Sequence, residues 1–127
     1  MKKIVLIILL IMGFGFNIFA VQRKYMSIPV LCYHHITKYS GSRIDRSNYR
    51  ISVRKFKAQM KYLYSAGFKT VSLNKLCRFI KGYKVSMPEK PVVITFDDGL
   101  KSQFKNAVPV LRKYGFTGVF FIYPSVI

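Results

Sequence analysis

Val92-Val93-Ile94-Thr95-Phe96 runs directly into Asp97-Asp98-Gly99. Five β-branched or aromatic residues, closed by a turn signal, predict a buried strand. Similar runs occur at Ile28-Pro29-Val30-Leu31-Cys32-Tyr33, at Phe68 to Val71, and at Thr117 to Ile122. Helical spacing fills the intervals. Ser52 can cap a helix in which Val53, Phe56, Met60 and Leu63 share a face, and Gly67 can close it. Ser72 can cap a second helix, with Leu73, Leu76, Cys77 and Ile80 inward and Gly82 as its stop. A third, from about Ser102 to Tyr114, places Phe104, Val108 and Leu111 inward; Pro109 should kink or restart it, and Gly115 ends it. Lys38 to Arg50 and Tyr83 to Pro91 read as loops. The order β-α-β-α-β-α-β, with continuously apolar strands, predicts an α/β fold. About four parallel strands would carry three helices. That is enough for part of a (β/α) barrel or a small, doubly wound open sheet, and too few strands to close a barrel.

The first twenty residues stand apart. Met1-Lys2-Lys3 is basic, and residues 4–20 (IVLIILLIMGFGFNIFA) carry no charge. This is the layout of a signal peptide. A membrane anchor is the rival reading, although 17 helical residues span roughly 25 Å against a hydrocarbon core of about 30 Å. Both readings export the rest of the chain to the cell envelope or beyond. Residues 21–27 then form a linker and 28–127 the folded domain.

Lys and Arg number 22 against 4 acidic residues, a net charge of +18. The charge reads first as a solvated basic surface; in an exported chain the polyanions it could meet are membrane surfaces and anionic wall polymers, not nucleic acid. No RNA-binding signature or Cys/His finger accompanies the basic residues. Two cysteines, Cys32 and Cys77, are too few for a disulfide framework; they could pair or remain as buried free thiols. The scarcity of acids directs attention to Asp97 and Asp98, because the other two, Asp45 and Glu89, lie in predicted loops.

Two clusters fall at C-terminal strand ends: Tyr33-His34-His35 and Asp97-Asp98-Gly99. In parallel α/β folds these ends form the functional face. Adjacent aspartates on an extended backbone point in different directions, so one can ligate a metal while the other faces a water. That division suits metal-assisted hydrolysis. Asp-Gly after a strand is also an ordinary turn, and a histidine pair is commonly structural.

The stretch Val93-Ile94-Thr95-Phe96-Asp97-Asp98-Gly99 resembles the first motif of the polysaccharide deacetylases (NodB homology, carbohydrate esterase family 4). Pro29-Val30-Leu31-Cys32-Tyr33-His34-His35-Ile36 is similar to the upstream strand of the poly-N-acetylglucosamine deacetylase branch. Leu63 to Phe68 and Gly118 to Ile122 also resemble that family, so the likeness runs from about residue 28 to 123. It implies a distorted (β/α)7 barrel, of which this chain supplies about four strands, with the core motif region beginning at 91. It further implies Asp97 as general base, Asp98 as ligand of a divalent metal (usually zinc), and His34, His35, Tyr33 and Gly99 lining the site. The family's two other ligands come from an H-[ST]-x-x-H motif, which is absent from this sequence; His34 and His35 are its only histidines. One Asp should hold zinc weakly, since catalytic zinc sites use three protein ligands.

The sequence therefore predicts the N-terminal half of an exported, metal-dependent N-deacetylase acting on an N-acetylated, glucosamine-containing polysaccharide. It is expected to be a truncated, inactive fragment unless a C-terminal half complements it. The alternative is a noncatalytic, membrane-associated basic protein that binds anionic surface polymer.

Overall fold

A computed structural model describes residues 26–38 and 49–123. The apolar segment 4–20, Asp45 and most of the first predicted loop lie outside the described residues. None of the helices among the described residues is long and apolar enough to cross a membrane.

The central strand, β5 (Pro91–Phe96), is buried along its whole length. β1 (Val30–Tyr33) pairs with one edge of it in parallel register, Val30 opposite Val93 and Tyr33 opposite Phe96. β4 (Lys69–Thr70) pairs with its start and β6 (Val119–Phe120) with its end, both parallel. The carbonyls of Lys90, Val92 and Phe96 all accept from these two short strands, so β4 and β6 share the second edge. The main sheet is thus the expected open set of four parallel strands. β2 (His35–Thr37) and β3 (Arg50–Ser52) form a second, two-stranded parallel sheet that the sequence reading does not predict; they flank the expected Lys38 to Arg50 loop, with Arg50 alone shared.

The helices follow their punctuation. The Ser52 hydroxyl accepts from the Lys55 amide at 3.2 Å and starts α1 (Val53–Ser65); Ser72 does the same for Lys75 and α2 (Leu73–Ile80). Both end in a Schellman closure, Phe68 N–H to Leu63 C=O and Tyr83 N–H to Arg78 C=O, with Gly67 and Gly82 at φ +81°. Helix three divides into α3 (Lys101–Asn106) and α4 (Val108–Lys113), with Pro109 in the first turn of α4.

That division shifts the helical phase. A continuous helix would turn Phe104 inward; instead Gln103 is fully buried and Phe104 is half exposed, stacked on Phe120 with ring centroids 4.8 Å apart. Val110 and Leu111 are buried in α4. Phe56, Met60 and Leu63 of α1 enter the core as expected, beside Tyr33, Ile36, Val92, Ile94 and Phe96. α2 departs from expectation: none of its residues is buried, and Ile80 is 72% exposed. Its apolar stripe has helical spacing, with Leu73, Leu76 and Phe79 partly buried, but none of these side chains joins the buried core cluster.

Candidate active site

The site forms where β1 and β5 end side by side. Side chains alternate along a strand, so Cys32 and His34 share the face opposite Tyr33, and the register that sets Cys32 against Thr95 brings Asp97 to the same place. The Cys32 thiol donates to Asp97 Oδ2 at 3.3 Å, and His34 Nε2 lies 3.7 Å from that same oxygen. The Thr95 hydroxyl donates to the Leu31 carbonyl just below, at 3.4 Å. The side chains of His34 and Asp97 are 26% and 38% exposed, so the cluster is open to solvent.

Backbone bonds fix Asp97 on both sides. Its amide donates to the Tyr33 carbonyl at 2.9 Å, and its carbonyl accepts from Gln103 Nε2. The same Gln103 nitrogen donates to the His34 carbonyl at 2.8 Å. One buried amide therefore ties the two strand ends to each other and to α3. Asn106 Nδ2 adds a bond to the Ile36 carbonyl at 2.6 Å, anchoring α3 to β2. His34 also packs edge-on against Tyr49, with centroids 5.0 Å apart.

The remaining site candidates are dispersed. Asp98 takes φ +79°, alone among the described non-glycine residues in the left-handed region. Such a conformation costs an L-residue on the order of 1 kcal/mol, and Asp is among the types that accept it. The turn thereby breaks strand alternation immediately after Asp97. Gly99 follows at φ +61°, buried; a Cβ there would sit 2.8 Å from Ile122 Cγ2, so this turn needs glycine for both conformation and room. His35 lies on β2, its amide bonded to the Tyr49 carbonyl at 2.9 Å, and does not join the Cys32–His34–Asp97 group. Tyr33 is a core residue. Its hydroxyl donates to Gln59 Oε1 of α1 at 2.9 Å, and its ring meets Phe56 edge-on and stacks with Phe96. Burial pushes the Tyr33 phenol up to about 12. The Cys32 thiol is also pushed up, first by desolvation and then by its bond to Asp97 and the negative charge of Asp97 and Asp98; Thr95 pulls the other way.

Both cysteines are free and exposed, so neither predicted alternative, a pair or buried thiols, holds. Sequence reading also missed two site residues. Cys32 is weighed there only as a disulfide partner or a buried thiol, and Gln103 is not singled out. The strand spacing Cys32-x-His34 was the available signal for the first.

The metal implied by the family resemblance can be tested against these donors. It needs Asp98 and two histidines. Among the described residues the one converging group of three metal-ligating types contains Asp97, not Asp98, and the sequence's two histidines are adjacent to each other. The residues present do not fit that metal: they offer it Asp98 alone.

Comparison with known proteins places this geometry. The family profile described as polysaccharide deacetylase matches residues 84–127. YxkH of Bacillus subtilis, named for the same family, is 34% identical over 99 residues, 78% of this chain and 33% of that protein. The poly-beta-1,6-N-acetyl-D-glucosamine N-deacetylase of Staphylococcus aureus is 31% identical over 108 residues, 78% of this chain and 37% of its own length. The chain thus spans about a third of the curated relatives it matches. Among solved structures, IcaB from Ammonifex degensii superimposes with a TM-score of 0.61 at 36% identity, over 75% of this chain and 37% of that one. Parallel sheet, TFDDG turn and sequence likeness agree, and the chain belongs to the polysaccharide deacetylase family of the NodB type.

Proposed function

We propose that this chain contributes the general-base half of a polysaccharide N-deacetylase site, with Asp97 as the base. The observation that carries the reading is the placement of Asp97: its carboxylate stands at the end of the central strand, partly open to solvent, with its backbone clamped by Tyr33 and Gln103. In the reaction, Asp97 takes a proton from water as the oxygen attacks the N-acetyl carbonyl. The carbon–nitrogen bond then breaks, the amine leaves with a proton, and acetate is released. His34 lies close enough to orient or polarise the Asp97 carboxylate. Asp98 is the metal ligand in this reading, and zinc the metal, as the family's general metal dependence suggests. The described residues supply one ligand for it.

The S. aureus relative's name supports a poly-N-acetylglucosamine polymer as substrate. Export through residues 4–20, a linker at 21–27 and a deacetylase region from 28 onward fit an extracellular polymer. The 127 residues by themselves are proposed to be inactive and to need a complementing segment that carries H-[ST]-x-x-H. Mixing the purified chain with zinc, acetylated glucosamine oligomers and such a segment tests both parts. Acetate release is expected only from the mixture and only with Asp97 intact. Release from the chain alone at enzymatic rates removes the inactivity claim. No release from any mixture removes the deacetylase reading.

A second reading rests on charge. The outer face of α1 exposes Arg54, Lys55, Lys57 and Lys61. Binding to anionic wall polymer that weakens with salt and ignores Asp97→Asn would favour a noncatalytic, surface-bound protein.

A further inference from the structure

The donors gathered around Asp97 differ from those the family's metal needs, and they make a site of their own. Cys32, His34 and Asp97 each offer one ligand atom, and the three atoms lie within 4.8 Å of one another. Tetrahedral zinc has bonds of about 2.3 Å to sulfur and about 2.0–2.1 Å to nitrogen and oxygen. Its ligand edges are therefore about 3.5 Å for sulfur–oxygen and about 3.4 Å for nitrogen–oxygen. Here the separations are 3.3 Å from Cys32 Sγ to Asp97 Oδ2 and 3.7 Å from His34 Nε2 to the same oxygen. Rigid elements hold the set. Cys32 sits on β1, His34 directly follows it, and Asp97 follows β5, with Gln103 bonded to both strand ends. Cys32 is exposed and the other two are partly so, which leaves an approach for an ion and a fourth position for water.

We propose that Cys32, His34 and Asp97 bind a thiophilic divalent cation such as zinc, at a site distinct from any built on Asp98. A thiolate, an imidazole and a carboxylate select such an ion over magnesium or calcium, which prefer oxygen alone. On binding, Cys32 releases to solvent the thiol proton it now shares with Asp97, and the thiolate, the imidazole and Oδ2 each donate a lone pair to the metal. Occupancy uses the Asp97 oxygen that would otherwise accept a proton, so this ion would oppose the base role rather than serve it.

Cobalt(II) titrated into the purified 127-residue chain under reducing conditions provides the test. One equivalent should bind, with a thiolate-to-cobalt charge-transfer band that zinc bleaches by displacement. Cys32→Ser should abolish the band, and His34→Ala should weaken binding at least roughly tenfold. Asp98→Asn and Cys77→Ser should leave the band in place, and circular dichroism of each variant checks that the fold is kept. Absence of the band from the unmodified chain overturns the proposal. So does a band that survives Cys32→Ser or disappears with Cys77→Ser. Acetate release plays no part in this readout, so the deacetylase reading and the cation site can fail separately.

Discussion

β1 shows two unlike faces within four residues. Leu31 and Tyr33 turn under α1, where Tyr33, Phe56 and Phe96 form an aromatic cluster with centroids 5.0 to 6.0 Å apart. Val30 and Cys32 turn the other way and are exposed; His34 continues that face, and Asp97 meets it from β5. The first face holds the fold, and the second holds chemistry that folding does not require. A one-residue slip of β1 would exchange them, so the parallel register with β5 is what keeps them apart. Substitutions on the two faces should accordingly fall into different classes.

The largest stability effect should come from the aromatic face. Phe56 is fully buried and touches both Tyr33 and Phe96. Phe56→Ala removes a ring that neighbouring side chains cannot replace, at a cost of about 3–5 kcal/mol. Chemical denaturation measures it. A cost under about 1 kcal/mol would mean that the cluster relaxes freely and that the division between the faces is weaker than the packing indicates.

Gln103 links the faces and should come next. Its amide donates to the His34 and Asp97 carbonyls, while its own Oε1 is buried without a hydrogen-bond partner. Gln103→Leu keeps the bulk and removes both donors, so two carbonyls lose their partner. A loss of about 1–3 kcal/mol is expected, held toward the low end because the orphan oxygen goes as well. The same variant should blur the cation site, seen as weaker cobalt binding. If stability falls and binding does not, Gln103 supports the fold without setting the strand ends.

Much of this division could be read from the sequence. Strand β5, the Ser52 and Ser72 caps and the glycine stops carry strong local signals, and local signals fix local structure. The β2–β3 pair was missed because three-residue strands have no period to detect, and their pairing joins segments separated by a long connection. The α2 stripe announced a face suited to burial; spacing cannot say what would cover it. Asp97 was found by its motif and His34 by its place at a strand end. Cys32 and Gln103 were not, because their roles depend on strand register and on the break at Ala107, both of which are set by tertiary packing.

pH offers a smaller, reversible probe of the aromatic face. The Tyr33 phenol rises from 10.0 to about 12 on folding. The folded chain therefore keeps its proton where the unfolded chain loses it, and stability present below pH 10 declines as pH climbs through 12. Near pH 11 the loss should be about 1 kcal/mol relative to pH 8. Many other groups titrate there, so the informative quantity is the difference from Tyr33→Phe, which lacks the phenol. Wild type should lose stability relative to that variant across this window. Parallel curves would place the Tyr33 hydroxyl in contact with water, contrary to its bond with Gln59.

The smallest stability change belongs to the other face. Asp97 is partly exposed, its backbone bonds do not involve the carboxylate, and Asn can still accept from the Cys32 thiol. Asp97→Asn should shift stability by less than about 0.5 kcal/mol, as substitutions away from a core do. Yet this one change removes the proton acceptor on which the proposed hydrolysis depends. It also removes an anionic ligand from the cation site. Measured beside Phe56→Ala, it separates function from folding within one pair of neighbouring strands. A large destabilisation by Asp97→Asn would instead show that the carboxylate helps hold β1 to β5, and the polar face would then have a structural share in the fold.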